Sequence, residues 1–342
     1  MRKGENISKD KLLNIEPCSH RVVMPLYIPN EVGYYKESFK IFEMCLFSIL
    51  KTAISPIKIS VISGGSCVSI HSKLMALYKE KHIDELVFER DNIGKINCML
   101  KVLRTSNERF ITITDADVLF LNHWEKEVLN VFKAFPKAGM VCPVPVFRTH
   151  LRLTSNIWMR NLFSNKLKFT SVKNPEAMTR FANSIGWSWL DIKYKDVIAT
   201  LKGKNNTIAV VGASHFVGTY KCEVFNKLPN ENSIYVLGGD SEFKYNDEPV
   251  LKMGGFRLST NNNYAYHMGN MLEPWMVEIY NDIKTEFKVY QDFKDFKTLK
   301  SNKFGHFISE KVFKKLFKIK GFKKWIFKMK GLNAEQIKNY LS

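Results

Sequence analysis

The chain has 342 residues, of which 45% are hydrophobic, so it can bury the core of one large or two modest domains. Its formal net charge of +19, with much of the excess near the C-terminus, indicates phosphate groups or anionic lipid as partners. Six cysteines without a Cys-x-x-Cys pair argue against a disulfide framework and a zinc cluster and favour a reducing cytosol. The polar first twenty residues and short apolar runs predict neither a signal peptide nor a membrane-spanning helix.

Short apolar strands alternate with helices through the first third of the chain. We predict strands at 21–28, 57–63, 86–89 and 110–121, and helices at 37–52 and 70–81. The segment 92–95 leads into a third predicted helix that ends at about residue 103. This alternation is typical of βαβ units and a mostly parallel sheet covered by helices. Because ligands bind beyond the carboxyl ends of such strands, the polar clusters that follow them should meet on one rim. These clusters are 63–66, 92–95 and 115–117.

The second half of the chain is less regular. The segment 147–207 is rich in Asn, Arg, Lys and Trp, and we predict a substrate-facing insertion there rather than more sheet. A strand near 264–267 and a helix from Glu273 to about Phe287 follow. The predicted organisation is an N-terminal extension at 1–20, an α/β domain at 21–287 and a linker with basic helices at 288–342.

Two acids, Asp115 and Asp117, interrupt the apolar run 110–121. Carboxylates are costly to bury unless something neutralises them, and side chains two apart on an extended chain share a face. The pair therefore favours a divalent cation. The alternative is a turn in which one acid caps the next helix.

Five motifs occur in an order that resembles the GT-A glycosyltransferases, specifically those of glycosyltransferase family 2, over roughly residues 20–285. They are VVMPLYIPN at 22–30, ISGGS at 62–66, NIGK at 92–95, DAD at 115–117 and GGDSE at 238–242. The resemblance implies a Rossmann-like GT-A sheet and transfer of a sugar from a nucleotide-diphosphate donor, with inversion at the anomeric carbon.

The resemblance also implies a metal site. It assigns Asp117 as a ligand of Mn²⁺ or Mg²⁺, Asp115 to the ribose or a metal-bound water, and Ala116 to the donor contact between them. A metal there would stabilise the charge that develops on the leaving diphosphate. His267 stands where many family members supply a further ligand, and a neutral imidazole suits a manganese-like ion. The alternative for His267 is a structural histidine.

Donor contacts are expected at the ends of the first two strands. Pro25, Tyr27 and Glu31 resemble a base-recognition corner, the alternative being ordinary strand-end residues. Ser63 and Gly64 lie in the next turn, where most family members carry Asp or Asn and this chain has only serines as polar side chains. A UDP-sugar is the expected donor.

Asn92 and Lys95 precede a predicted helix. An ammonium group and free backbone N–H groups at a helix start both favour anions, so we expect them to contact the diphosphate. The alternative is a solvated lysine.

Inverting transfer needs a general base that removes the proton of the acceptor hydroxyl. Asp240 is the leading candidate and Glu242 the second, while Gly239 would let the acceptor approach closely. The alternative makes Asp240 a helix N-cap. Trp187 and Trp189 are candidate stacking platforms for an acceptor sugar, or else buried anchors of the insertion.

The segment 304–330 alternates Phe, Ile, Leu and Trp with lysines at helical spacing. This pattern predicts basic amphipathic helices that lie on an anionic membrane surface. The alternative is packing on the chain's own α/β domain. Nucleic acid is not expected as a partner, since no recognised nucleic-acid module accompanies the charge. We therefore expect a cytoplasmic protein associated peripherally with the inner face of the cell membrane.

We predict a metal-dependent inverting glycosyltransferase that acts on a glycan or lipid-linked acceptor in surface polysaccharide synthesis. One alternative is a sugar-phosphate nucleotidyltransferase, but the Gly-x-Gly-Thr-Arg signature of that class has no counterpart at 25–33. Another is a non-catalytic basic membrane-binding protein, which would leave the two acids without a purpose.

Overall fold

The computed structural model describes residues 4–12, 18–187, 193–289 and 293–341. The strands in these ranges are β1 (His20–Leu26), β2 (Ile57–Gly64), β3 (Glu85–Glu89), β4 (Phe110–Thr114), β5 (Val118–Phe120), β6 (Ala138–Cys142), β7 (Leu167–Ser171), β8 (Val197–Lys202), β9 (Ile208–Val211), β10 (Val217–Lys221), β11 (Phe256–Thr260) and β12 (Ala265–His267).

The α-helices are α1 (Ser38–Thr52), α2 (Val68–Lys79), α3 (Lys95–Leu103), α4 (Trp124–Ala134), α5 (Ser155–Arg160), α6 (Pro175–Ser184), α7 (Lys193–Asp196), α8 (Glu248–Lys252), α9 (Pro274–Asp282), α10 (Lys303–Phe307), α11 (Lys314–Lys318), α12 (Lys320–Met329) and α13 (Ala334–Leu341). Two π-helical turns, Phe243–Asp247 and Ile308–Phe313, precede α8 and α11.

One ten-stranded sheet organises the molecule, in the order β3-β2-β1-β4-β10-β6-β11-β9-β8-β7. Strands β3, β2, β1 and β4 are mutually parallel. Strand β10 runs antiparallel to β4 and β6, and most pairs beyond β6 are antiparallel as well. The predicted α/β fold class is confirmed, and its parallel part is the half of the sheet that the first βαβ units build.

The insertion contains more sheet than the sequence analysis predicted. Strands β7 and β8 pair with each other and extend the sheet through β9. Strand β7 alternates buried and exposed residues, as a strand with one covered face does. Its only two apolar residues, Leu167 and Phe169, are separated by Lys168 and followed by polar residues, which explains why composition alone indicated an irregular segment.

The C-terminal helices pack on the α/β domain, which was the alternative to membrane binding in the sequence analysis. In α12, Ile326 and Phe327 are fully buried, and Phe327 contacts the rings of Trp158 and Phe169. The buried Lys330 amine donates to backbone carbonyls of the insertion at 2.8 and 2.7 Å. Residues 304–341 thus pack one face on the rest of the molecule. No helix in the described ranges has both the length and the apolar character needed to cross a bilayer.

The region before the tail also differs from the prediction. Helix α9 ends at Asp282 rather than near Phe287, because the following backbone bonds to the end of α1 instead. There the Glu286 N–H donates to the Lys51 carbonyl at 2.7 Å. The predicted linker after residue 287 buries Phe293 and Phe296 against Phe110 of β4.

Candidate functional site

The two acids of the DAD motif lie at the carboxyl end of β4. Strand β4 is buried along its whole length, and it ends one residue before Asp115. The Asp115 N–H donates to the Phe216 carbonyl at 2.7 Å, and Asp117 directly precedes β5. Both carboxylates are therefore held by buried backbone on either side, at the rim where ligands of parallel sheets bind.

Strand pairing brings His267 to the same place. Strand β12 runs antiparallel to β5 with His267 opposite Val118, and the Asp117 carbonyl accepts the Met268 N–H at 2.7 Å. The Nε2 atom of His267 lies 3.5 Å from Oδ2 of Asp117. Its Nδ1 atom lies 3.0 Å from the Ser184 hydroxyl, which orients the ring.

These three side chains fit a divalent cation. Ligand atoms of Asp115, Asp117 and His267 all lie within 4.8 Å of one another. Oδ1 of Asp117 is buried and has no hydrogen-bond partner among the described residues. Burial raises the pKa of Asp117 to about 6, although the His267 charge opposes the shift. Two carboxylates and an imidazole are ligands suited to Mn²⁺, and the orphaned oxygen is what a bound cation would satisfy.

Lys95 joins this cluster, so the alternative of a solvated lysine is wrong. Its Nζ lies 2.5 Å from Oδ1 of Asp115 and 3.2 Å from Oε1 of Glu242. Burial opposes the charge, but the two carboxylates outweigh it and raise the pKa of Lys95 above its usual value. The lysine therefore carries a full positive charge next to the acids.

Gly94 explains how this lysine is placed. It has φ of +84° directly before α3, a conformation that favours glycine. A Cβ at Gly94 would lie 2.6 Å from the Val236 carbonyl oxygen, and the Lys95 N–H donates to that same carbonyl at 3.1 Å. The close contact between Gly94 and Val236 holds the loop before the GGDSE motif against the start of α3.

A cavity of about 570 Å³ opens beside the cluster. Aromatic rings border one side of it, with the rings of Tyr27 and Tyr35 in edge contact at 5.9 Å. Nine of the residues predicted for donor or metal binding line it: Pro25, Tyr27, Gly64, Asn92, Lys95, Asp115, Ala116, Asp117 and His267.

Other predicted residues lie elsewhere. Glu31 forms an ion pair with Lys73 and accepts a hydrogen bond from Ser69 at 2.7 Å. Ser63 is fully buried in β2. The structure therefore does not place Glu31 or Ser63 on the wall of the cavity, in contrast to the donor-contact prediction.

The candidates on the acceptor side are spread over two places. Gly239 and Asp240 are exposed, and they follow Val236 and Leu237, which line the cavity. Glu242, two residues on, turns inward to Lys95. Trp187 lines a second, neighbouring cavity, and Trp189 lies outside the described residues.

The structure adds three charged residues that sequence reasoning missed. His215 lies with Nδ1 at 3.1 Å from Glu242 and Nε2 at 2.6 Å from Asp247. Asp247 in turn pairs with Arg257 at 2.8 Å, and both of these side chains are almost fully buried. A chain of ionic contacts thus runs from Asp115 through Lys95 and Glu242 to the interior. No local motif marks these residues, because each comes from a different element.

This chain of contacts sets the charge state of Glu242. The hydrogen bond from His215 lowers the pKa of Glu242 to about 2, with the nearby Lys95 acting in the same direction against burial. The two carboxylates around His215 outweigh its burial and raise the pKa of that imidazole. Glu242 is therefore ionised at neutral pH and binds protons weakly.

Comparison with known proteins identifies the domain. The family described as Glycosyl transferase family 2 matches residues 32–190, which include the NIGK and DAD motifs. No curated protein matches the chain. TarS 1–349 of S. aureus has 10% sequence identity and a TM-score of 0.39, with 73% of this chain aligned to 60% of that one.

A second solved structure is the mannosyltransferase PcManGT from Pyrobaculum calidifontis in complex with GDP-Man and Mn²⁺. It has 16% identity and a TM-score of 0.36, with 74% of this chain aligned to 59% of that one. The chain spans about 60% of the length of these two solved structures. The family match assigns residues 32–190 to a glycosyltransferase domain of the family 2 type.

Proposed function

We propose that the chain is a metal-dependent, inverting enzyme that moves a sugar from a nucleotide-diphosphate donor to a hydroxyl of a glycan or lipid-linked acceptor. Surface polysaccharide synthesis is the proposed setting, and a UDP-sugar is the proposed donor. The observation that carries the proposal is the cluster of Asp115, Asp117 and His267 on the wall of a 570 Å³ cavity. Within it, the buried Oδ1 of Asp117 has no hydrogen-bond partner among the described residues.

The charged and aromatic residues around this cavity have distinct proposed parts in donor binding. Asp115, Asp117 and His267 would hold Mn²⁺ or Mg²⁺, which when bound offsets the negative charge that grows on the departing diphosphate. Lys95 adds a fixed positive charge beside them. Tyr27 and Tyr35 offer aromatic surface for the nucleobase.

Asp240 is the proposed general base. As the acceptor oxygen bonds to the anomeric carbon, the bond from that carbon to the diphosphate oxygen breaks and Asp240 takes the hydroxyl proton. Attack from the face opposite the leaving group inverts the anomeric configuration. Glu242 is less suited to this step because its pKa of about 2 makes it a weak base. Its part is to position Lys95.

The test compares Asp117→Asn and Asp240→Asn with Asp282→Asn, an exposed acid on α9. We expect transfer from a UDP-sugar to fall by about 10³-fold in each of the first two variants and to be unchanged in the control. Calorimetry should show that UDP binds more tightly with Mn²⁺ than with EDTA, and that Asp117→Asn removes this difference. Metal-independent UDP binding in the wild type would contradict the proposal.

We also propose that the segment 304–330 attaches the enzyme to the inner face of the cell membrane. One face of this segment is buried in the molecule, but apolar side chains on the other remain exposed beside exposed lysines. These apolar residues are Phe304, Phe307, Val312, Leu316, Ile319, Trp325 and Met329. Exposed aromatic and aliphatic side chains next to lysines are what an anionic membrane surface attracts.

Charge reversal tests this attachment better than truncation, because truncation would remove the buried Phe327. Lys315, Lys318 and Lys324 are exposed and change to Glu in one variant, while a matched variant reverses three exposed lysines elsewhere. The matched lysines are Lys79, Lys202 and Lys300. We expect co-sedimentation with phosphatidylglycerol vesicles to weaken roughly 100-fold more in the first variant. Equal weakening in both would contradict the proposal.

A further inference from the structure

A second cavity of about 390 Å³ lies beside the donor cavity and has a different lining. Its walls combine arginines with aromatic rings. The residues that matter for its chemistry are Phe147, Arg148, Arg152, Trp187, His215 and Arg257.

The two cavities are separated by a thin wall of side chains. Ser184 lines the donor cavity, and the next residue, Ile185, lines the second one. Phe181 of the second cavity stacks on Phe216 at 5.0 Å, and Phe216 contacts the His267 ring at 5.4 Å. A ligand in the second cavity would therefore lie close to the metal cluster.

Positive charge in the second cavity is incompletely neutralised. None of the described residues that line it is acidic. Arg257 pairs with Asp247 through one nitrogen, yet its Nε is buried without a hydrogen-bond partner among the described residues. Burial and the charge of Arg148 lower the pKa of Lys323 in α12, so another cation lies close to this arginine. An anion in the cavity would compensate these groups.

The aromatic rings form a platform suited to a sugar. Phe147 contacts Trp187 at 5.7 Å and Tyr194 at 6.5 Å between ring centroids. Arg148 lies over the Tyr194 ring at 4.9 Å, and its φ of +58° is a conformation that non-glycine residues rarely adopt. Aromatic surface beside fixed guanidinium groups matches a pyranose ring that carries a charged substituent.

From these observations we infer that the second cavity is the acceptor subsite and that it selects an acceptor bearing an anionic group, a carboxylate or a phosphate, beside its sugar ring. The inference rests on the proposed function and gives it a substrate class. Trp187, predicted from the sequence as an acceptor platform, lines this cavity.

Direct binding tests the inference without donor turnover. The probes are glucuronic-acid oligosaccharides, glycerol-phosphate oligomers and neutral glucose oligosaccharides of equal length. The proteins are the full-length wild type, Arg148→Gln, Arg152→Gln and the control Arg160→Gln, an exposed arginine of α5 that does not line the cavity. We expect one anionic probe to bind the wild type and to lose at least about tenfold in affinity in the first two variants. The control should bind as the wild type does.

The outcomes separate the inference from the proposed function. The tighter of the two anionic probes identifies whether a carboxylate or a phosphate is selected. If neutral and anionic probes bind alike, or if Arg160→Gln weakens binding as much as Arg152→Gln, the anionic subsite is wrong. Metal-dependent UDP binding, measured in the same preparations, then still supports the enzyme. If UDP binding is independent of metal while Arg152→Gln abolishes probe binding, the anion site stands and the donor mechanism fails.

Discussion

The two halves of the central sheet share one hydrophobic core but carry different side chains around it. At the rim of the parallel half, charged side chains from distant elements meet: Lys95 lies between Asp115 and Glu242, and Glu242 continues to His215. At the far half, aromatic rings of the insertion and the tail pack on one another in a buried cluster. The charged side chains at the rim place positive and negative charge where a diphosphate would bind. The aromatic cluster contributes apolar packing instead.

The aromatic cluster shows what the tail contributes to the fold. Phe327 contacts the rings of Phe169 at 5.3 Å, Trp158 at 5.8 Å and His150 at 6.0 Å. Tyr340 of α13 contacts His150 at 5.3 Å. Strands β7 and β8 are therefore covered by the last helices, so the C-terminal segment stabilises the sheet whatever else it binds.

The largest expected effect that separates the two regions is on stability. Phe327→Ala should lower the free energy of unfolding by about 3–5 kcal/mol, because the ring is fully buried and its loss leaves a cavity. The exposed Phe163→Ala should change it by less than about 0.5 kcal/mol. Urea denaturation measures both. UDP binding by the folded Phe327→Ala protein should match the wild type, and a loss of that binding would show that the two regions are coupled.

A smaller effect should come from pH. Burial and the charges of Arg148 and Lys323 lower the pKa of His150 to about 3. Between that value and the unfolded value of 6.5, the unfolded chain binds the proton and the native protein does not, so stability falls as pH falls. Proton binding by His150 in the unfolded chain should therefore lower the free energy of unfolding by about 2 kcal/mol between pH 6.5 and 5.

His150→Phe should remove this part of the pH dependence, and His82→Gln, at a partly exposed site, should leave it in place. Urea denaturation at pH 7.5 and pH 5 measures the difference. An unchanged slope in His150→Phe would mean that His150 is already protonated in the native protein.

The smallest expected effect comes from Glu242, which positions Lys95 at the rim. Glu242→Gln removes the charge that holds Lys95 and His215, so we expect transfer to fall roughly tenfold with little loss of stability. Glu248→Gln, which breaks an i,i+4 pair with Lys252 on the surface, should change transfer less than about twofold. Equal activity of the Glu242→Gln variant and the wild type would show that Lys95 keeps its position without the carboxylate.

The donor side of the site could largely be predicted from the sequence. The motifs at 62–66, 92–95 and 115–117 follow successive parallel strands, whose carboxyl ends meet at one edge by geometry. The prediction differs from the structure at Glu31, which pairs with Lys73 and is not among the described residues that line the cavity. The tail showed a helical pattern but not its partner, because an apolar face fits a membrane and a protein surface equally well.

By itself, the sequence determined the α/β alternation, the acid pair and the amphipathic tail, because these depend on the spacing of neighbouring residues. Only the tertiary structure decided that Lys95 and Glu242, 147 residues apart, form an ion pair. It also decided that His215, Asp247 and Arg257 lie behind them and that the insertion extends the sheet. Such contacts form because a charge buried in a medium of low dielectric is stable only beside an opposite charge. The spacing of neighbouring residues does not indicate which distant residue supplies that opposite charge.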